Sequence, residues 1–376
     1  MAPYALNEQF KSTAGRIDWV DYAKGFCIIF VVMMHSTLGV EKYAEGIGWM
    51  NTLVTFAQPC RMPDFFMISG LFLGFVIGRS WLRYFDRKVV HFLYFYVLWL
   101  VIQFAFRVVG GGEMGTTPGE IAGNFALAFV EPYGTLWFIY MLPVMFLATR
   151  LFEKIHWAVV LGVAALLEIA PIHTGSILVD EFASRYVYFF AGYALAQPIF
   201  ALAGWARDNA GKALGYLGGW GLVNGFFTFT AIPEFIAAPI TNLGADVPVN
   251  LAHLPIVSLA LGVAGAVAVI SLCAVLSRFR LAGFLRYLGE NSIAVYLAFF
   301  LPMVITRVVL LKFAPGLGLG NISLIVTIVA VIGPVIALEF TRITGWFKFL
   351  FTRPSWAWID RSSVPVKASA AAQPAE

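Results

Sequence analysis

Apolar stretches long enough to cross a bilayer recur along almost the whole chain, and nothing else in the sequence limits the fold so strongly. A membrane-spanning helix needs about 20 mostly apolar residues. Such stretches lie near 21–40, 50–78, 89–109, 133–152, 156–171, 183–203, 212–232, 254–277, 289–312 and 322–344. The chain is 60% hydrophobic and 12% charged, with a mean hydropathy of +0.82. Soluble domains carry about 25% charged residues, so this composition excludes an ordinary water-soluble core. The sequence therefore predicts an all-α fold, a polytopic bundle of about ten transmembrane spans embedded in a lipid bilayer. Pro59 and Pro63 predict a bend in the second span.

Lys and Arg alternate between loops. Arg79, Arg83, Arg87 and Lys88 occupy one, and Arg150 with Lys154, Arg207 with Lys212, and Arg278, Arg280 and Arg286 occupy alternate ones. The intervening loops carry acids such as Glu41, Glu131 and Glu181. Positive loops face the cytoplasm, which puts both termini there and predicts a multi-pass cell-membrane protein. The expected organisation is a short disordered tail over 1–15, one membrane domain over 16–348, and a largely disordered cytoplasmic tail over 349–376, which ends in SSVPVKASAAAQPAE. The net charge of +4 is spread over short loops and gives no reason to expect nucleic-acid binding. Cys27, Cys60 and Cys273 sit in or beside apolar runs and read as buried thiols without a disulfide.

Ionisable residues inside a span are costly and mark function by default. In KGFCIIFVVMMHS, residues 24–36, ten residues separate Lys24 from His35. The eleven-residue step is close to three helical turns, about 16 Å of rise, so both side chains share a face. Taken singly, each has a bland reading: His35 as a hydrogen-bonded core histidine, Lys24 as an interface anchor, and Asp21 as a helix-start acid. The next span adds RMPDFFMISG, residues 61–70, where Arg61 and Asp64 share a face and read in part as an ion pair. Ser69-Gly70 there permits close helix approach. Trp137 opens the fourth span, and Asn291, Ser292 and Tyr296 open the ninth in YLGENSIAVYL, where interface anchoring and helix-start roles are the plain readings. No metal-ligand spacing, GxSxG elbow or phosphate loop occurs, so no metal and no bound cofactor are expected.

These motifs together resemble acyltransferase family 3, polytopic membrane O-acyltransferases of sugars and glycans. In that family's opening span a basic residue precedes a histidine with ten residues between, and Lys24 and His35 match it. Arg61, Ser69 and Gly70 match its second span, Leu136-Trp137-Phe138 its fourth, and Leu288, Gly289, Asn291, Ser292 and Tyr296 its ninth. Phe299 stands where many members have a histidine, and no second arginine follows Arg61 closely. The likeness spans about residues 16–345.

The resemblance implies O-acylation, acetyl or succinyl, of an envelope polysaccharide or other carbohydrate hydroxyl in a bacterial inner membrane, with acyl-CoA as co-substrate. His35 would act as general base or as nucleophile, and Arg61 would stabilise the oxyanion or hold the donor. Lys24 would meet the donor phosphates with Asp21 orienting it, and Asp64, Ser69, Trp137, Asn291, Ser292 and Tyr296 would help bind substrate. The competing reading from the residues is a transporter or flippase; a lipid or peptide acceptor and a non-catalytic sensor also remain open.

Overall fold

The computed structural model describes residues 17–110, 115, 117–236 and 250–360. The tail expected at 1–15 lies outside the described residues, and of the tail expected at 349–376 residues 361–376 do, while 349–360 are ordered against the bundle. Helices dominate, and no β-strand occurs among the described residues. Each of the ten apolar stretches is helical. They form α1 (Asp18–Ala44), α2 (Met50–Gly70), α3 (Trp81–Phe85) running through a π-turn into α4 (His91–Val109), and α6 (Trp137–Leu151), with the short α5 (Pro118–Leu127) between the last two. Next come α7 (Trp157–Ile169), α8 (Ile177–Ala194), α9 (Ala196–Asp208), α10 (Ala210–Phe229) and α11 (Pro255–Arg278). The last are α12 (Gly283–Glu290), α13 (Ser292–Ala298), α14 (Phe300–Phe313) and α15 (Leu319–Thr344).

About ten spans are expected; among the described residues, five helices are long and apolar enough to cross a membrane, or up to seven if each of two bent pairs counts as one span. The bent pairs are α8 with α9, at 78°, and α13 with α14, at 48°. Each break, at Leu195 or Phe299, lies three residues before a proline, Pro198 or Pro302, whose missing N–H leaves the carbonyl one turn back without its helical partner. α2 stays helical through Pro59 and Pro63. Three stretches fall outside the set of candidate spans: α2, which carries polar residues, α7, which has only 13 residues, and α10. Apolar side chains cover the outside of the bundle: Leu222 is 79% exposed, Ile336 64% and Ile343 83%. An outer surface of that kind suits lipid rather than water.

The first helix is the hub, packed against α2, α11, α12 and α15. Its first turn holds Asp18 and Asp21, which favour the positive end of the helix dipole. Contact with α12 is backbone to backbone. A Cβ on Gly289 would run into the Asp21 carbonyl, and one on Gly25 into the Leu285 carbonyl. The same device joins α2 to α8, where Gly70 and Gly192 lie against the backbones of Phe189 and Met67. All three cysteines are free and buried, as expected.

Residues 349–360 fold back on the bundle. Arg353 reaches Asp86 at 2.5 Å with both side chains fully buried. Asp86 also accepts the backbone N–H groups of Ile359 and Asp360, each at 3.1 Å.

Candidate active site

His35 lies two-thirds of the way along α1, eleven residues beyond Lys24. It faces a cavity of about 160 Å³ whose wall includes Arg61 of α2, Trp137 and Phe138 of α6, Glu181 and Arg185 of α8, and Tyr296 of α13. The volume is below the roughly 300–1,000 Å³ of a site that encloses a whole ligand.

Local structure holds each wall in place. The break between α13 and α14 brings the Phe299 ring to 5.5 Å from the His35 ring. Tyr296 accepts the Phe138 N–H at 3.1 Å and donates to the Thr135 carbonyl, which pins the start of α6. The Phe138 ring stacks on Phe65 at 4.5 Å with the planes nearly parallel. Glu131 accepts the Ile177 N–H at 2.5 Å and the Ser176 hydroxyl at 3.0 Å, which fixes the first turn of α8 and so the placement of Glu181 and Arg185.

Among the described residues, no hydrogen bond engages the His35 imidazole. The bland reading, a histidine tied to a neighbouring helix, does not hold there. Arg61 donates from one Nη to the Val54 carbonyl at 3.3 Å, while its buried Nε has no protein acceptor among the described residues. Glu181 and Arg185 pair at 3.1 Å across one helical turn.

Arg61 and Asp64 do not form the expected ion pair. The long guanidinium turns to the cavity, and the short carboxyl stays in the helix interface, fully buried, with both oxygens unpartnered among the described residues.

Of the residues singled out in the sequence, the structure brings His35, Arg61, Trp137 and Tyr296 together. Asp64, Ser69, Asn291 and Ser292 are not part of that wall. Ser69 bonds back to the Phe65 carbonyl at 2.8 Å, which occupies its hydroxyl inside α2. Asn291 donates to the Tyr287 carbonyl and accepts from Arg342 at 2.6 Å, so it ties the α12–α13 junction to α15. Asp21 and Lys24 sit 3.7 Å apart near the other end of α1. Glu181 and Arg185 are the residues that sequence reasoning missed. An acid and a base one turn apart at the head of an apolar run are the signal that could have found them.

A family model described as an acyltransferase domain, that of acyltransferase family 3, matches residues 17–339. The chain belongs to acyltransferase family 3. No curated protein and no solved structure matches it. As a family 3 acyltransferase it is an acyl-transfer enzyme, and its apolar helices suit a multi-pass membrane protein.

Proposed function

We propose that this acyltransferase moves an acyl group, acetyl or succinyl, from acyl-CoA to a hydroxyl of an envelope carbohydrate, with His35 as the base. The reading is carried by one observation: an imidazole without a hydrogen bond and an arginine with an unpartnered N–H, among the described residues, line the same small cavity. A free imidazole nitrogen can take the hydroxyl proton. The alcohol oxygen then attacks the thioester carbonyl carbon, and charge develops on the carbonyl oxygen. The Arg61 guanidinium is the donor placed for that charge. The carbon–sulfur bond breaks, and the imidazolium returns its proton to the departing thiolate. Trp137, Phe138 and Tyr296 close the cavity and exclude water from the intermediate. Glu181 and Arg185, polar groups in the same wall, are placed to meet the acceptor's neighbouring hydroxyls.

The basic loops orient the end of the bundle carrying Lys24 toward the cytoplasm, where coenzyme A esters are made. His35 is about 16 Å deeper, on the way to the face where envelope glycans are exposed. A bacterial inner membrane, with coenzyme A esters on one side and envelope glycans on the other, suits this reading. Mass spectrometry of envelope glycans from cells with and without the protein tests the reading. A mass difference of one acyl unit on a carbohydrate is expected. Identical glycan masses, with solute flux across vesicles that needs no thioester, would favour a transporter instead.

A further inference from the structure

Two arginines lie beyond the reaction cavity, toward the end of the bundle away from Lys24. Arg307, on α14, is 8% exposed. Phe300, Met303 and Arg307 form the buried face of that helix, while Ile305, Val308 and Val309 are turned out. The Arg307 guanidinium lies against Gly39 of α1, where a Cβ would collide with it, and 4.2 Å from the centre of the Tyr43 ring. His35, Gly39 and Tyr43 stand on successive turns of α1. The guanidinium therefore meets α1 one turn, about 6 Å, beyond His35.

Arg107, in the last turn of α4, approaches from another side. Its guanidinium carbon is 5.0 Å from the Tyr133 ring and 5.0 Å from the Phe300 ring. Phe300 and Arg307 are two turns apart on one face of α14, so both cations attend the same inward face. They lie within electrostatic reach of each other. Among the described residues neither guanidinium has a hydrogen bond or a carboxylate partner. Two acids of the same region are engaged elsewhere: Glu41 accepts the Gly48 N–H at 2.9 Å and the Asn51 amide at 2.7 Å, and Glu131 holds the start of α8. Aromatic rings soften the cost of the two charges but offer no acceptor to a guanidinium fork. Like charges held close in apolar surroundings repel, and an anion between them relieves both the repulsion and the lost solvation. The basic loops gather at the opposite end of the bundle, so this pair is not part of that topological charge.

We propose that Arg307 and Arg107 bind an anionic group of the acceptor, so that the carbohydrate acylated here is an acidic one, with a carboxylate or phosphate close to the reacting hydroxyl. The inference deepens the acyl-transfer reading and rests on it for the identity of the ligand. Position favours the acceptor over the acyl donor, because the pair lies on the far side of His35 from Lys24. It also favours the acceptor over a lipid headgroup, because Arg307 is on the buried face of α14 and the side turned to lipid carries Ile305, Val308 and Val309. Tyr43 is 67% exposed, so the pair is reached from that end of the bundle.

Anion binding without any acyl donor tests the site apart from the chemistry. The full chain in phosphatidylcholine nanodiscs would be titrated at constant ionic strength with glucuronate, with glucose 1-phosphate and with glucose, and the thermal midpoint recorded. At least one acidic sugar is expected to raise the midpoint where glucose does not, and the stronger of the two tells carboxylate from phosphate. Arg307→Gln and Arg107→Gln should each raise the half-saturating concentration about tenfold, the worth of one charge-assisted contact. Without ligand both variants should melt at or above the wild-type midpoint, because each loses a charge that has no partner. Arg280→Gln, at the basic end of the bundle, should bind as wild type does. Equal effects of glucose and the acidic sugars, or unchanged half-saturation in both glutamine variants, would overturn the site. A lower unliganded midpoint in both would mark the arginines as structural supports and overturn it too. So would phosphatidylglycerol nanodiscs that raise the midpoint through the same two arginines and cancel the effect of the acidic sugars, which would give the pair to a lipid headgroup. A chain that binds acidic sugars through these arginines and transfers no acyl group would keep the site and remove the acyl-transfer reading. One that acylates only neutral glycans would keep that reading and remove this inference.

Discussion

Tyr296 clamps the backbone of Phe138: its hydroxyl accepts that N–H at 3.1 Å and passes its own proton to the Thr135 carbonyl. The clamp ties α13 to the head of α6 and fixes the Trp137–Phe138 wall beside His35. Tyr296→Phe removes the hydroxyl and strands a buried N–H and a carbonyl. A loss of about 1–3 kcal/mol of stability is expected, read as a lower unfolding midpoint in detergent. A midpoint equal to wild type would mean that the clamp contributes nothing.

The α1–α12 contact makes a sharper steric prediction. Gly289→Ala drives a methyl group into the Asp21 carbonyl, and backbone cannot swing aside as a side chain can. Overpacking of this kind costs about 1–3 kcal/mol. Gly215→Ala, in α10 with open space around its Cβ position, is the control. It should be neutral or stabilising by about 0.5–1 kcal/mol, the ordinary helix benefit of alanine over glycine. Melting curves of the two variants should move in opposite directions, or only the first should move.

Asp86 and Arg353 are fully buried and 267 residues apart in sequence. Removing one partner strands a charge in the interior, so Arg353→Met should cost about 3–5 kcal/mol. The double variant Asp86→Leu with Arg353→Met should recover part of that loss, because neither charge is then left alone. Unfolding titrations of the two single variants and the double variant measure the coupling. Additive losses would show that the two side chains do not act as a pair.

Much of this was legible in the sequence because a membrane magnifies its signals. Apolar length marked every major helix, and a histidine and an arginine inside such runs stood out at once. The bends were not legible. Proline breaks the helix before Pro198 and Pro302 but not within α2 at Pro59 or Pro63, since neighbouring packing decides whether the freed carbonyl is tolerated. Arg61 and Asp64 share a face by spacing, yet a long side chain can leave that face and a short one cannot. Glu181 looked like a loop acid because α8 starts at Ile177, earlier than its apolar run, under the control of Glu131. The fold-back of Trp358 onto the Arg79–Lys88 cluster joins residues more than 260 positions apart and leaves no local pattern.

His253 gives a pH prediction outside the spans. Gln58 donates its amide N–H to one ring nitrogen at 2.7 Å, and the other ring nitrogen donates to the Asn250 side-chain oxygen at 2.6 Å. That arrangement needs a neutral ring, and burial lowers the His253 pKa below the ordinary value of 6.5. With the folded value depressed, the unfolded chain binds the proton more readily. This contribution to stability is present above pH 6.5 and is lost as pH falls from there toward the folded pKa. Melting at pH 7.5 and pH 5.5, wild type against His253→Gln, checks it: the wild type should lose more stability on acidification. Equal losses in both would remove His253 as the source.

The account stands on His35 taking the acceptor proton inside the cavity it shares with Arg61. The direct measurement is the rate of labelled acetyl transfer from acetyl-CoA by purified wild-type protein and by His35→Ala, with the thermal midpoint of each recorded. A fall of about 10²–10⁴-fold in rate at an unchanged midpoint is predicted. A folded His35→Ala protein that transfers acetyl at the wild-type rate would contradict it.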